Sequence, residues 1–309
     1  MTSNSSSLLR TRDMMADSDL VPPGAPRCLP PRRLERTPHF LPPPGSCDAH
    51  VHVFAPDSAG HLAARRSYTP HLVTHEQYSG LAERLGLERA VLVQPSVLGT
   101  NNSALLSALS EHPDLWRGIV VIPPDLPDHE LADLHMRGVR GTRINRINPG
   151  GLELTDIAAL GRRLEPFGWH IQLQFNIDEI QDLSALARQC PVPLVIDHLG
   201  FARPEAGAKA GPFQSLLREV EEGRLWVKLS APYRLSRSKD YEDLLPLIDA
   251  LVAARPDRLL WATDWPHTEL WSDMPDDADL VDLIPVWLPD EGLRRMVLVN
   301  NPSDLYWAT

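Results

Sequence analysis

Asp48-Ala49-His50-Val51-His52-Val53-Phe54 is the stretch that decides the fold. Its residues alternate in the way a β-strand requires, and in a strand residues i and i+2 share a face. His50 and His52 therefore present two imidazoles side by side at a strand end. Seven more apolar runs follow: Arg89–Gln94, Arg117–Ile122, Val139–Asn145, His170–Phe175, Leu194–Asp197, Leu225–Ser230 and Leu259–Thr263. Amphipathic stretches separate them: His75–Leu85, Asn101–Glu111, Asp128–Arg137, Thr155–Phe167, Glu179–Gln189, Phe213–Glu222 and Tyr241–Arg255. A last helical region spans Pro275 to Val299, and Thr155 and Asp178 are candidate N-caps. Strands alternating with helices imply parallel pairing through crossovers. Eight such units predict an α/β fold, a (β/α)8 TIM barrel. No Gly-X-Gly-X-X-Gly follows any strand, which leaves an open dinucleotide-binding sheet without support.

The barrel occupies residues 47–309 in this reading. Residues 1–46 hold nine prolines with many Ser and Arg and little periodicity, and read as a mobile or loosely wrapped N-terminal arm. The chain has 309 residues, 43% of them hydrophobic, enough for a full core. A net charge of −11 argues against nucleic acid or an anionic membrane as partner. No apolar run approaches a membrane span, and no apolar segment follows Arg32-Arg33 to make an export signal. Cys28, Cys47 and Cys190 form no spaced pair, which fits a cytoplasmic location.

Chemistry in such a barrel sits at the C-terminal strand ends. Those ends carry His50 and His52, Gln94 and Ser96, Arg143 and Asn145, Gln172 and Gln174, Asp197 and His198, Lys228 and Ser230, and Asp264 with His267 beyond it. Three histidines and one carboxylate, His50, His52, His198 and Asp264, form a donor set suited to one zinc ion. The alternative is metal-free catalysis, with the imidazoles polarising a carbonyl directly. In either case Asp264 must be ionised, as ligand or as general base. Asp48 has two readings, holding loop amides or supporting a histidine. Of the 30 basic residues only Lys209, Lys228 and Lys239 are lysines. Arg143, Arg146 and Arg234 near the mouth offer forks for an anionic ligand, whereas Arg140 lies on the other strand face and reads as structural.

These segments also resemble a known group. Pro42-Pro43-Pro44-Gly45 with Asp48-Ala49-His50-Val51-His52, Ile196-Asp197-His198-Leu199-Gly200 and Thr263-Asp264-Trp265-Pro266-His267 are similar to the 2-pyrone-4,6-dicarboxylate lactonases of the amidohydrolase superfamily. Tyr68-Thr69-Pro70, Arg140-Gly141-Thr142-Arg143 and Arg234-Leu235 extend the resemblance, which runs from about residue 42 to the end. It implies a (β/α)8 barrel and hydrolysis of a small anionic lactone in aromatic catabolism. It implies that His50, His52 and His198 polarise the lactone carbonyl, that Asp264 activates water, and that Arg143 and Arg234 bind the substrate's acidic groups. Tyr68, Ser96 and His267 line the pocket in that comparison, and Arg146 and Gln174 are further substrate-binding candidates. The resemblance fails at three recognition positions. The lactonases have tyrosine at Gln174, asparagine at Glu269, and a second arginine near Pro149, where here only Arg146 is close. The related 4-sulfomuconolactone hydrolases, which take a sulfonated lactone and are zinc enzymes, fit these departures better. No lysine or glutamate ends Val139–Asn145, so a two-metal centre is not expected. The rivals are a decarboxylase of the same superfamily and a non-catalytic binding protein.

Overall fold

The computed structural model describes residues 25–148, 154 and 157–308. Residues 1–24, Pro149 and the proposed N-cap Thr155 lie outside the described residues. Eight parallel strands run in sequence order: β1 Cys47–Val51, β2 Arg89–Val93, β3 Trp116–Val120, β4 Val139–Asn145, β5 His170–Gln174, β6 Leu194–Ile196, β7 Leu225–Ser230 and β8 Leu259–Ala262. Each expected strand is present, trimmed by at most a few residues. The ring closes beyond β8. Val51 bridges Trp265 in parallel, the His52 amide donates to the Trp265 carbonyl at 2.8 Å, and the Asp264 amide donates to the His50 carbonyl at 3.1 Å. Closure brings the first and last strands together, and with them the two segments carrying His50, His52 and Asp264.

Around the strands run α1 His75–Leu85, α2 Ser103–Glu111, α3 Asp128–Met136, α4 Ile157–Leu164, α5 Leu183–Gln189 and α6 Gly211–Glu221. They are followed by the short α7 Pro232–Leu235, then α8 Leu245–Ala254 and α9 Asp277–Asp282. A capping box at Thr74 and Gln77 starts α1, and Gly86, at φ 76°, ends it in the left-handed region. Two expectations need correction. Asp178 lies inside a 3-10 turn, and α5 is capped by Asp182, whose carboxylate accepts from the Ala185 amide. The region from Pro275 to Val299 is not one helix. It breaks into Asp277–Asp282, Ile284–Trp287 and Glu291–Arg295, because Pro285 and Pro289 cannot continue a helical ladder.

Strand alternation splits the core in two. Ile171, Leu173, Leu194, Ile196, Val227 and Leu229 face the helices. Cys47, Ala49, Val91, Val93, Ile119, Val195, Trp226 and Leu260 fill the barrel interior, where Tyr306 joins them. Residues 25–46 are irregular and wrap the barrel. Cys28 bonds the Thr69 carbonyl, Leu29 bonds the Leu270 carbonyl, and Arg36 pairs with Asp279 and Asp282 of α9.

Candidate active site

The C-terminal end of the barrel interior is polar where the middle is apolar. Parity explains most of this. Val195 faces inward, so Asp197 does too, and Trp226 puts Lys228 inside in the same way. His50 breaks parity, because Cys47 and Ala49 already face inward. A register shift between Asp48 and Val51 resolves the conflict. Such a bulge re-aims one side chain, and it lets His50 join His52 on the inner face. Asp48 is left pointing outward. Its oxygens accept from the Thr263 amide at 3.0 Å, the His50 amide at 3.2 Å and the Tyr78 hydroxyl at 3.1 Å. Of its two readings, holding amides is the one realised.

Asp264 Oδ1 stands 3.6 Å from His50 Nε2, 3.7 Å from His52 Nε2 and 3.7 Å from His198 Nε2. The Nε2 atoms of His50 and His52 are 3.3 Å apart. All four residues are buried. The far nitrogen of each ring has a partner. His52 Nδ1 meets the Val93 carbonyl at 2.7 Å, His198 Nδ1 meets Ser230 Oγ at 2.8 Å, and His50 Nδ1 meets Asp197 Oδ1 at 3.2 Å. A carbonyl only accepts, so Nδ1 of His52 carries the proton and its Nε2 lone pair faces the cluster. Asp197 is thus the carboxylate that orients a histidine. Its own charge is balanced by Lys228 Nζ at 3.4 Å and Arg143 Nη2 at 3.4 Å, and Gln172 donates to it at 3.0 Å.

Burial dominates the electrostatics. Desolvation lowers His52 and His198 to about 4 and His50 well below its ordinary value, so the imidazoles are neutral near pH 7. Burial also opposes the charge on Asp264, yet the Arg234 guanidinium, joined by the imidazoles once acid protonates them, outweighs it and holds the carboxyl well below the usual range. Desolvation takes Lys228 down to about 8 despite Asp197 beside it.

Above the cluster lies a narrow, nearly filled polar cleft, lined by His52, His198 and Asp264 and rimmed by Tyr68, Ser96, Arg143, Gln174 and Arg234. Nine of the eleven residues singled out from sequence are thereby at the site, His50 just beneath the others. Arg146 and His267 are not among the lining residues. Arg146 is exposed and contributes its amide to the Gln174 carbonyl at 2.9 Å. His267 is buried behind Asp264, with Nδ1 3.1 Å from the Tyr233 hydroxyl and Nε2 3.1 Å from Asp277 Oδ1. Asn148 and Thr268, which no motif marked, line the cleft beside Glu269. The Asn148 amide donates to Glu269 Oε1 at 2.7 Å and to Ser67 Oγ at 2.8 Å, tying together the loops after β4, β8 and β1.

A buried three-histidine, one-carboxylate cluster under a small cleft with two arginines is a site for hydrolytic chemistry on a small anion. Comparison with known proteins agrees. Residues 47–307 match the family model described as Amidohydrolase. The chain is 37% identical over 290 residues to a 4-sulfomuconolactone hydrolase from Hydrogenophaga intermedia, spanning 91% of this chain and 95% of that protein. It is 35% identical over 286 residues to a 2-pyrone-4,6-dicarboxylate hydrolase from Comamonas testosteroni, spanning 87% and 92% of the two chains. The solved structure of a probable 2-pyrone-4,6-dicarboxylic acid hydrolase from Acinetobacter baumannii, with citric acid bound, superposes with a TM-score of 0.76. It shares 26% identity across 85% of this chain and 99% of that one. The family match runs from the strand that carries His50 to the C-terminal segment that carries Tyr306, and this chain belongs to the amidohydrolase family.

Proposed function

We propose that this protein is a hydrolase of small anionic lactones from aromatic catabolism, with a 4-sulfomuconolactone-like substrate preferred and 2-pyrone-4,6-dicarboxylate as the alternative. One observation carries the reading: Asp264 Oδ1 stands at 3.6–3.7 Å from three Nε2 atoms, beneath a cleft that also holds Arg143 and Arg234. Asp264 is the base. It is ionised, and Oδ1 faces the cleft's floor while Oδ2 is engaged by Tyr233 at 2.7 Å and Arg234 at 2.9 Å. A water molecule beside Oδ1 would lose its proton there as it attacks the lactone carbonyl. Arg143 and Arg234 would hold the substrate's anionic groups. Arg234 does so with part of its fork, since its Nε and one terminal nitrogen already serve Asp264 and the Thr268 carbonyl. Arg143 rests on Asp197, Gln174 and the Gln94 carbonyl.

The donor chemistry favours one zinc ion over direct polarisation by imidazole. Neutral His52 has its proton on Nδ1, so Nε2 can bind a cation but cannot donate to a carbonyl. The 3.3 Å approach of the His50 and His52 Nε2 atoms needs a cation or a shared proton between them. The 3.3–3.7 Å spacing of His50 Nε2, His52 Nε2 and Asp264 Oδ1 suits three ligand atoms of one zinc ion. His50, His52 and Asp264 would hold it, with His198, whose Nε2 is 3.7 Å from Asp264 Oδ1, as a further candidate ligand. Once bound, such an ion acts as a Lewis acid on the carbonyl and lowers the pKa of a nearby water. Three unpaired cysteines support a cytoplasmic location for the enzyme.

The test is to purify the protein, measure its metal content, and assay a panel of anionic lactones for acid release. Release of carbon dioxide from an aromatic acid, or tight acid binding without turnover of any lactone, would overturn the reading.

A further inference from the structure

Asp264 has two oxygens with different duties, and its surroundings keep them apart. Oδ1 faces the imidazoles. Oδ2 receives the Tyr233 hydroxyl at 2.7 Å and Arg234 Nε at 2.9 Å. Tyr233 has one hydroxyl hydrogen, and it goes to Asp264. The tyrosine oxygen also stands 3.1 Å from His267 Nδ1 and accepts there when that nitrogen carries a proton. The opposite nitrogen of that ring meets Asp277 Oδ1 at 3.1 Å. His267 and Asp277 are both buried, and the rings of Tyr233 and His267 meet edge to face with centroids 5.2 Å apart. The chain Asp277–His267–Tyr233–Asp264 thus runs from the first residue of α9, through the turn after β8, to the base.

The backbone of that turn is constrained as well. Asp264 and His267 have φ of 65° and 60°, in the left-handed region that disfavours non-glycine residues. Conformations of that kind persist where surrounding contacts over-determine them, and the hydrogen-bonded chain supplies such contacts. Tyr233, His267 and Asp277 do not reach the cleft, since none of them is among its lining residues. A role in holding substrate is therefore not what the geometry offers.

We propose that Tyr233, backed by His267 and Asp277, is a positioning residue that fixes the rotation of the Asp264 carboxylate so that Oδ1 alone serves the reacting groups. The proposal rests on the lactonase reading for the identity of the base, and it adds how that base is held. It also reassigns His267, which the family resemblance puts at the substrate, to a place one residue behind the base.

The experiment is a double-mutant cycle on the full chain with Tyr233→Phe and His267→Gln. Tyr233→Phe keeps the ring and deletes the hydroxyl. It is expected to lower kcat about 10- to 100-fold, the scale for losing an outer partner of a ligand, with KM within about threefold of wild type. His267→Gln should lower kcat in the wild-type background and add less than about twofold in the Tyr233→Phe background, because it acts through the tyrosine. A purely structural role would lower thermal stability and leave kcat of the folded protein unchanged, which would overturn the proposal. So would additive effects with a raised KM for His267→Gln, the signature of direct substrate contact. Zinc affinity, measured by competition with a chelating dye, gives a second readout. A hold weakened about tenfold in Tyr233→Phe supports the positioning role, and an unchanged hold overturns it. A wild type that opens no lactone would count against the lactonase reading alone, and the zinc competition would still decide whether Tyr233 positions Asp264.

Discussion

Asp264→Asn keeps the shape of the side chain and removes its charge, and the hydrogen bonds around it determine the outcome. An asparagine has one acceptor oxygen where the aspartate has two. Two donors claim it, Tyr233 Oη and Arg234 Nε, at 2.7 and 2.9 Å from Oδ2. The new NH2 group is then turned towards the three Nε2 atoms, which stand 3.6–3.7 Å from the present Oδ1. It offers them hydrogens where the carboxylate offered an anionic oxygen. The base is lost, and so is a ligand of a metal. General-base catalysis contributes at least about 100-fold, or about 2.7 kcal/mol of barrier, so kcat/KM should fall by that factor or more. Stability should fall too. Removing the partner of a buried charge costs about 3–5 kcal/mol. Arg234 retains 13% exposure and keeps its bond to the Thr268 carbonyl, so about 2–3 kcal/mol is the better figure. The assay is steady-state turnover of purified wild type and variant on the best lactone, with metal analysis and a urea melt of each. Turnover within about threefold of wild type would remove Asp264 from the mechanism, since a general base is worth far more than that.

A chelator should abolish activity and zinc restore it, and His198→Ala should sharply lower the bound metal; full activity at substoichiometric zinc would return the site to direct imidazole chemistry. Because burial holds His52 and His198 at about 4, NMR titration of the metal-free protein should find both rings neutral from pH 7 down to about 5; a ring titrating near 6.5 would refute this. Lys228 titrates at about 8 folded against 10.5 for the free side chain, so the unfolded chain holds more protons between those values. Its contribution therefore grows as pH rises through that window, by about 3 kcal/mol in all, and urea melts of wild type and Lys228→Met should show the pH slopes differing there. Glu269→Asn removes a negative charge from the cleft while keeping an acceptor for Asn148, and should raise kcat/KM on 2-pyrone-4,6-dicarboxylate relative to a sulfonated muconolactone about tenfold, the effect of roughly 1.4 kcal/mol of relieved repulsion; an initial preference of the wild type for the pyrone would sink the reasoning.

The barrel was legible because its strands carry the pattern of a sheet covered on both faces, with punctuated apolar runs at regular spacing. The hydrolytic set was legible because its four residues fall in three segments, each at or just past the end of an apolar strand. The bulge in β1 was not, since nothing in Asp48-Ala49-His50 marks an extra residue, and yet only the bulge turns His50 inward. The support of His50 by Asp197 was present in the alternation of β6 and passed over, because Asp197 stands beside the more conspicuous His198. Asn148 and Tyr233 carry no local signal at all. One lies in an irregular loop and the other in a four-residue helix, and their roles depend on bonds to Glu269 and Asp264, which are far away in sequence.

That division has a physical basis. His50, His52, His198 and Asp264 sit on or just beyond strands whose positions are set by the parallel ladder and by the Val51–Trp265 bridge. Exchanging side chains elsewhere leaves the ladder intact, because backbone groups make it. The rim is different. Asn148, Ser67 and Glu269 join three loops through side-chain bonds, so one substitution there changes both the charge in the cleft and how the loops meet. Two relatives of nearly equal identity, 37% and 35%, are named for different lactones. A ladder-held reaction centre beneath a rim held by side chains would produce such a pair, with the chemistry kept and the substrate set by Gln174, Glu269 and Asn148.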